Sequence, residues 1–438
     1  MPRATSNSTE SYMTMLTSRT SETGATIRTV AVVGLGYIGL PTAAILAASG
    51  LEVIGVDVNP STVDAVNNGD VPFVEPDLGI HVAGAVSRGT LRAQLETPSA
   101  DAYIVAVPTP FLADKSADMS YIAAAARAIA PQLKGGELVI LESTSPPGST
   151  RRLAELILGI RPDLSLDGKD GKPALLVAHC PERVLPGRIM IELVTNDRVV
   201  GGLTTEAADA AAALYGVFCQ GEIHLTDAAT AEMSKLVENA YRDVNIAFAN
   251  ELSVISENLD IDVWELIRLA NHHPRVNILQ PGPGVGGHCI AVDPWFIVAA
   301  DPQNSALIRT AREVNDGKPG HIVEQIRKAA GDVSHPVIAC LGLAFKANID
   351  DVRESPAVEI VRRVATLEPD ADILVAAPHK NQLPQELAEC ANVRLVETDK
   401  AIAAAHVVVL LVDHDKFREI ELSSLEGKKI IDTRGFWR

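Results

Sequence analysis

The stretch PGPGVGGHCIAVDPW, residues 281–295, ends a glycine- and proline-rich run on a thiol and places a carboxylate, Asp293, four residues beyond it. Glycine opens backbone conformations closed to other residues and lets the main chain approach a neighbour closely, so the run is expected to be shaped around a ligand. A thiolate is a nucleophile, which makes Cys289 the first candidate for covalent chemistry. Upstream, Lys235, Asn239 and Arg242 fall at i, i+4 and i+7 of an otherwise largely apolar helical pattern. They share one stripe and read as a polar face turned toward a site.

A second constellation lies near the amino terminus, in RTVAVVGLGYIGLPTAAILAASGLEVIGVDVNP. An apolar run meets glycines, then an alanine-rich helix, then a second apolar run, which predicts a strand–turn–helix–strand unit. The fingerprint is Gly34-x-Gly36-x-x-Gly39, with Tyr37 and Ile38 between the last two glycines and Asp57 following Gly36 by 21 residues. In such a unit the first glycine permits the tight turn, the second lets a pyrophosphate approach the backbone and the third lets helix and strand pack closely. Asp57 is placed to accept from ribose hydroxyls and to repel a 2′-phosphate, so NAD is favoured over NADP.

The elements that must position these groups are legible as blocks. ADAYIVAVPTP, ELVILESTSPPGST and ALLVAHCPERVLPG read as successive parallel strands whose carboxyl ends carry Thr109, Thr144 and Glu182, and ligands of open α/β sheets bind at those ends. Residues 227–259 carry helical spacing without Gly or Pro, a connecting helix about 50 Å long at 1.5 Å per residue. VIACLGLAFKANIDDVRESPAVEIVRRV, followed by the strands ADILVAA, HVVVLLV and KKIIDT, forms a second doubly wound unit. Its loop offers Lys346 and Arg353 near a helix start, suited to a nucleotide diphosphate. The fold class is therefore α/β, with two Rossmann-like doubly wound domains joined by a helical middle domain with a long connecting helix. The expected division is a disordered tail over 1–26, a NAD-binding domain over 27–222, a central helical domain over 223–318 and a second Rossmann-like domain over 319–438, the last two being the dimerisation and UDP-sugar-binding domains by the family resemblance set out below.

Composition bounds the function. The chain has 38 Lys and Arg against 56 Asp and Glu, a formal charge of −18, which argues against nucleic-acid binding and against adhesion to an anionic membrane. No apolar run approaches the roughly 20 residues needed to span a bilayer. Cysteines at 180, 219, 289, 340 and 390 form no CxxC pair, so neither a disulfide framework nor a metal site is expected and a cytoplasmic location fits best.

Taken together, VVGLGYIGLPTA, AVPTPF, LESTSPPGST, CPERVLPG, AEMSKLVENAYRDVNIAFANEL, RLANHHPRVNILQPGPGVGGHCIAVDPWF, LGLAFKANIDDVRESPA and DTRGFW cover residues 28–438 with motifs that resemble the UDP-glucose/GDP-mannose dehydrogenase family. The resemblance implies NAD-dependent oxidation of the 6-hydroxymethyl group of a UDP-sugar to a carboxylate, by a homodimer built on the long helix. It implies UDP-N-acetyl-D-mannosamine as the substrate and surface polysaccharide precursor synthesis as the role. By the same matching Cys289 is the nucleophile, and Lys235 and Asn239 act from the long helix. Asp293 orders the site, Glu182 activates water and Thr144 lies on the NAD side. Arg183, Val184, Arg242, His273, Arg275, Gly286, Phe345 and Lys346 hold the nucleotide sugar, with Arg434 a further candidate, while Arg353 reaches the cofactor. The chain departs from the pattern at Ala377, where relatives tend to carry an acid.

An aldehyde cannot yield a second hydride until something adds to it, and Cys289 supplies the adduct as a thiohemiacetal and then a thioester, released by water that Glu182 directs. Lys235 and Asn239 could donate to the oxygen as alkoxide character develops. His288, beside Cys289, is expected to be structural or substrate-lining, because adjacent residues of an extended loop point apart. Competing readings are the same chemistry on UDP-N-acetylglucosamine or UDP-glucose, a non-catalytic nucleotide-binding regulator, and a two-electron dehydrogenase that would have no need of Cys289.

Overall fold

In a computed structural model, residues 27–112, 114–287, 289–331 and 333–438 are described. The expected tail and His288 lie outside them. The chain folds as two compact units, one running to Pro110 and including Ala117–Lys235, the other comprising Phe111–Ser116 and Leu236–Arg438.

The first unit is built on β1 (Thr29–Val33), β2 (Glu52–Val56), β3 (Leu91–Gln94), β4 (Ala102–Val105), β5 (Leu138–Leu141), β6 (Leu176–His179), β7 (Arg198–Gly202) and β8 (Ile223–Asp227). Their order is β3-β2-β1-β4-β5-β6-β7-β8. All neighbours pair in parallel except β6 and β7, which run antiparallel. The central strands read TVAVV, AYIV and LVIL and are buried almost throughout, as expected where helices cover both faces of a sheet. The strand order reverses between β1 and β4, and there Val33 lies opposite both Val56 and Val105. That reversal opens a crevice at the carboxyl ends, where doubly wound sheets bind ligands.

The second unit holds β9 (Val337–Leu341), β10 (Asp372–Ala376), β11 (Val393–Leu395), β12 (Val407–Leu410) and β13 (Lys429–Asp432), all parallel, in the order β11-β10-β9-β12-β13. With them fold the helices Val263–Ala270, Asp293–Ala300, Ala306–Ala330 and Pro356–Leu367. The predicted connecting helix is a single element of 31 residues, Ala228–Asn258.

Candidate active site

The glycine fingerprint closes β1 onto the helix Gly39–Ala48. Gly34 has φ +96°, and a Cβ there would sit 2.5 Å from the Ala106 carbonyl oxygen; one on Gly39 would sit 1.8 Å from the Gly34 carbonyl oxygen. Neither position has room for a side chain. Gly36 differs, because a Cβ there would meet nothing within 4 Å. The protein's own packing therefore does not require that glycine, whereas a pyrophosphate drawn against the backbone at a helix N-terminus does. Asp57 directly follows β2, its Oδ2 accepting the Leu35 N–H at 2.9 Å and its Oδ1 the Asn59 N–H at 2.9 Å, so the acid is locked beside the glycine turn. Tyr37 stacks on Phe73 with ring centroids 4.3 Å apart, and Ile38 is the residue from which that helix starts. These features fit NAD.

At the next strand ends, Thr109 Oγ1 donates to the Thr144 carbonyl at 2.6 Å, which joins the two predicted threonines. Glu182 is buried; its Oε1 accepts the Arg183 N–H at 2.6 Å and its Oε2 an Arg198 N–H at 3.4 Å. Arg183 also donates to the Asp197 carbonyl at 3.3 Å, and Val184 packs against the core. Sequence reasoning missed what lies behind Glu182. Arg198 is also 4.0 Å from Glu142, which takes hydrogen bonds from Tyr215 Oη at 3.1 Å and Thr42 Oγ1 at 3.2 Å. Burial, and then the charge of Glu182, push the Glu142 carboxyl up to about 8, against the opposing pull of Arg198, Tyr215 and Thr42. The only signal in the sequence was an acid directly after an apolar strand. Lys235, half-buried, completes the predicted residues of this unit.

In the second unit Asn239 and Asp293, 54 residues apart, meet: Asn239 Nδ2 donates to Asp293 Oδ2 at 2.6 Å, with both side chains buried. Asp293 opens the helix Asp293–Ala300 and donates its N–H to the Cys289 carbonyl at 2.9 Å. Cys289 is thus exposed on a turn fixed to Asp293, which Asn239 orients in turn.

The glycines before it serve the fold. They are packed on protein: a Cβ on Gly286 would lie 2.4 Å from the Glu354 carbonyl oxygen and 2.9 Å from Phe345 Cβ, and one on Gly287 3.0 Å from the Phe345 ring. Gly284, at φ +143°, is hemmed by Pro356 and Pro319, and Gly282 by the Arg434 guanidinium. Each of these close approaches, to the loop after β9 and to Pro319, Pro356 and Arg434, requires a glycine in its own right. Gly286 thereby meets Phe345, while Arg434 meets Gly282. A buried chain that sequence reasoning also missed anchors the start of the run. The Gly282 N–H donates to Asn250 Oδ1 at 2.9 Å, Asn250 to Asn315 Oδ1 at 2.8 Å, and Asn315 to Asp243 Oδ1 at 2.8 Å, where Arg312 also donates at 2.5 Å.

The loop after β9 is held in shape by His414, whose Nδ1 accepts the Asn348 N–H at 3.0 Å, while Asn348 and Asp415 exchange side-chain and backbone hydrogen bonds. Lys346 is exposed on this loop. Arg353 folds onto Asp351 at 2.7 Å, and Arg434 donates to Asp413 at 3.1 Å. Arg242, His273 and Arg275 are exposed, the Arg275 N–H donating to His273 Nδ1 at 3.3 Å. Ala377 packs against the apolar core of this sheet. Among the described residues no group of His, Cys, Asp and Glu could hold a metal, and no helix is long and apolar enough to cross a membrane.

A doubly wound sheet with this fingerprint and switch point is a dinucleotide-binding domain. Residues 28–219 match the NAD binding domain of the UDP-glucose/GDP-mannose dehydrogenase family, residues 229–317 its central domain and residues 339–438 its UDP binding domain. The chain belongs to this family and is an NAD-dependent UDP-sugar dehydrogenase, an oxidoreductase. It is 57% identical over 411 residues to the NDP-N-acetyl-D-galactosaminuronic acid dehydrogenase of Ralstonia nicotianae, covering 94% of this chain and 96% of that protein. It is 55% identical over 419 residues to the UDP-N-acetyl-D-mannosamine dehydrogenase of Salmonella typhi, covering 94% and 99%. The solved UDP-D-ManNAc dehydrogenase of Pyrococcus horikoshii matches with a TM-score of 0.82 at 37% identity, covering 94% of this chain and 96% of that one.

Proposed function

We propose that the chain oxidises UDP-N-acetyl-D-mannosamine to UDP-N-acetyl-D-mannosaminuronate, a surface polysaccharide precursor, through a covalent intermediate on Cys289. The observation that carries the chemistry is the exposed Cys289 on a turn bonded to Asp293, with Asn239 bonded to Asp293 in turn. An alcohol-to-aldehyde enzyme has no use for a thiol so mounted. The Salmonella typhi relative supports the choice of sugar.

NAD, when bound, would supply the hydride acceptor, one molecule for each of the two oxidations. Gly34, Gly36, Gly39, Tyr37, Ile38, Asp57, Thr109, Thr144 and Arg353 hold it. Arg183, Val184, Arg242, His273, Arg275, Gly286, Phe345, Lys346 and Arg434 hold the UDP-sugar. The 6-hydroxymethyl carbon loses a hydride and its oxygen a proton, giving the aldehyde. The Cys289 thiolate adds to that carbon as a thiohemiacetal, and loss of the second hydride leaves a thioester. Glu182 takes a proton from water, the oxygen attacks the acyl carbon, the C–S bond breaks and the thiolate is restored. Lys235 and Asn239 donate to the charged oxygen. One Asn239 N–H is committed to Asp293; an amide has a second, and the commitment fixes its direction.

Homodimerisation through the long helix belongs to the same reading. Val237, Tyr241, Phe248 and Ile255 leave 42%, 71%, 52% and 44% of their surfaces exposed, and their spacing of four and then seven residues makes one apolar stripe suited to a second copy. The same reading includes a cytoplasmic location, in keeping with five cysteines that form no disulfide.

The Ralstonia nicotianae relative favours a second reading, a galactosamine-configured sugar. Initial rates of NADH formation with UDP-N-acetylmannosamine, UDP-N-acetylgalactosamine, UDP-N-acetylglucosamine and UDP-glucose decide between them. The first should give the highest kcat/KM, with two NADH per sugar and no free aldehyde. Cys289→Ala should lose net acid formation by several orders of magnitude. One NADH per sugar, or acid formed by Cys289→Ala at a near-normal rate, refutes the covalent route; a higher kcat/KM for another sugar refutes the choice of substrate.

A further inference from the structure

Behind Glu182 the first unit buries one cation between two carboxylates. Arg198 is 4% exposed, Glu142 1% and Glu182 8%, and the guanidinium lies 3.4 Å from Glu182 and 4.0 Å from Glu142. Its plane faces the Tyr215 and Phe218 rings at 4.6 and 5.2 Å, and an Arg198 N–H points at Cys180 Sγ at 3.6 Å. The groups facing Glu142 come from every neighbouring element: Thr42 from the helix Gly39–Ala48, Cys180 and Glu182 after β6, Arg198 from β7 and Tyr215 from the helix Thr205–Tyr215. Arg198 is the one cation among them.

An uncompensated buried charge is costly, so one cation with two acids is most stable with a single proton shared by the acids. Position decides which acid holds it. Glu182 accepts from the guanidinium and from a backbone N–H, donors that favour its anion. Glu142, deeper, faces two hydroxyls and the more distant side of Arg198.

We propose that Glu142 and Arg198 are positioning residues for the acid-releasing step: Glu142 holds the proton of the buried pair so that Arg198 keeps Glu182 ionised as the base that activates water. This rests on the reading of Glu182 as that base. When Glu182 takes a proton from the attacking water, Arg198 loses its counter-ion, which drives Glu182 to return the proton to solvent once the thiolate has left. Glu142 keeps its own proton throughout. When Glu142 ionises, the two carboxylates compete for one guanidinium and Arg198 no longer serves Glu182 alone. The elevated titration of Glu142 puts that change at mildly alkaline pH.

The test uses the full-length enzyme with excess NAD and a single turnover of UDP-sugar, following the first NADH and the release of acid in the same sample from pH 6.5 to 9.5. The wild type should show an added rise in acid release of about three-fold or more, centred near the ionisation of Glu142, as Arg198 is shared and the Glu182 carboxylate is held less tightly. Glu142→Gln, an isostere of the protonated acid that keeps the Tyr215 and Thr42 contacts, should lose that rise. A merely structural role would lower both phases together and leave the pH profile unmoved. Infrared spectra of the wild type over the same interval need no variant and should lose a buried protonated-carboxyl band. An unaltered acid-release profile in Glu142→Gln, or no such band, overturns the inference. The underlying reading fails separately: if Glu182→Gln releases acid at the wild-type rate, Glu182 is not the base, whereas if Glu182→Gln accumulates thioester while Glu142→Gln keeps the wild-type profile, only the inference falls.

Discussion

Replacing Gly36 with alanine separates what the fold needs from what the cofactor needs. A Cβ there meets no heavy atom within 4 Å, whereas a Cβ on Gly39 would stand 1.8 Å from the Gly34 carbonyl oxygen and one on Gly34 2.5 Å from the Ala106 carbonyl oxygen. Backbone oxygens cannot move aside as a flexible side chain can, so Gly34→Ala and Gly39→Ala should each cost about 1–3 kcal/mol of stability, Gly34 also bearing the strain of a positive φ. Gly36→Ala carries neither penalty. Removing backbone freedom from the unfolded chain should leave it neutral or more stable by up to about 1 kcal/mol. Its added methyl nevertheless fills the space through which a pyrophosphate reaches the loop's N–H groups, and holding the ligand back should weaken NAD binding about ten-fold or more, 1.4 kcal/mol. Calorimetric titration with NAD and thermal unfolding of the three variants measure both quantities. UDP binding serves as a control and should be unchanged in Gly36→Ala. If that variant binds NAD within about two-fold of wild type, a difference of about 0.4 kcal/mol, the open side of Gly36 is not where the pyrophosphate lies.

Asp57→Asn keeps an oxygen for the Leu35 or Asn59 N–H but removes the charge, so the preference for NAD over NADP in kcat/KM should narrow about ten-fold or more; an unchanged ratio would show that another group rejects the 2′-phosphate. Burial, with His379 alongside, depresses the His414 imidazole to about 4. The unfolded chain binds that proton near the ordinary histidine value, so the stabilisation is complete above pH 6.5 and is lost progressively as pH falls from about 6.5 to 4, at up to about 1.4 kcal/mol per unit. His414→Asn retains an acceptor for the Asn348 N–H and should flatten that part of the denaturant-unfolding profile; an unchanged slope would assign the acid sensitivity elsewhere, the fully buried His179 being the next candidate.

Short-range pattern determined much of this protein. The spacing of Gly34, Gly36, Gly39 and Asp57, the apolar runs that became β1, β4, β5, β9, β10, β12 and β13, and the helix Ala228–Asn258 are all written in stretches of tens of residues, because turn sterics and the periods of helix and strand act locally. The antiparallel run of β7 and the short strand β11 escaped that reading, since direction and edge position depend on partners far along the chain. Tertiary packing alone brought Asn239 to Asp293, seated the glycines of residues 282–287 on Phe345, Glu354 and Pro356, and set Arg198 between Glu142 and Glu182. Each joins residues with no shared local period. What the sequence presents as an unremarkable polar residue becomes consequential only when the fold removes water from around it, because a buried charge or amide must then find its partner within a few ångströms.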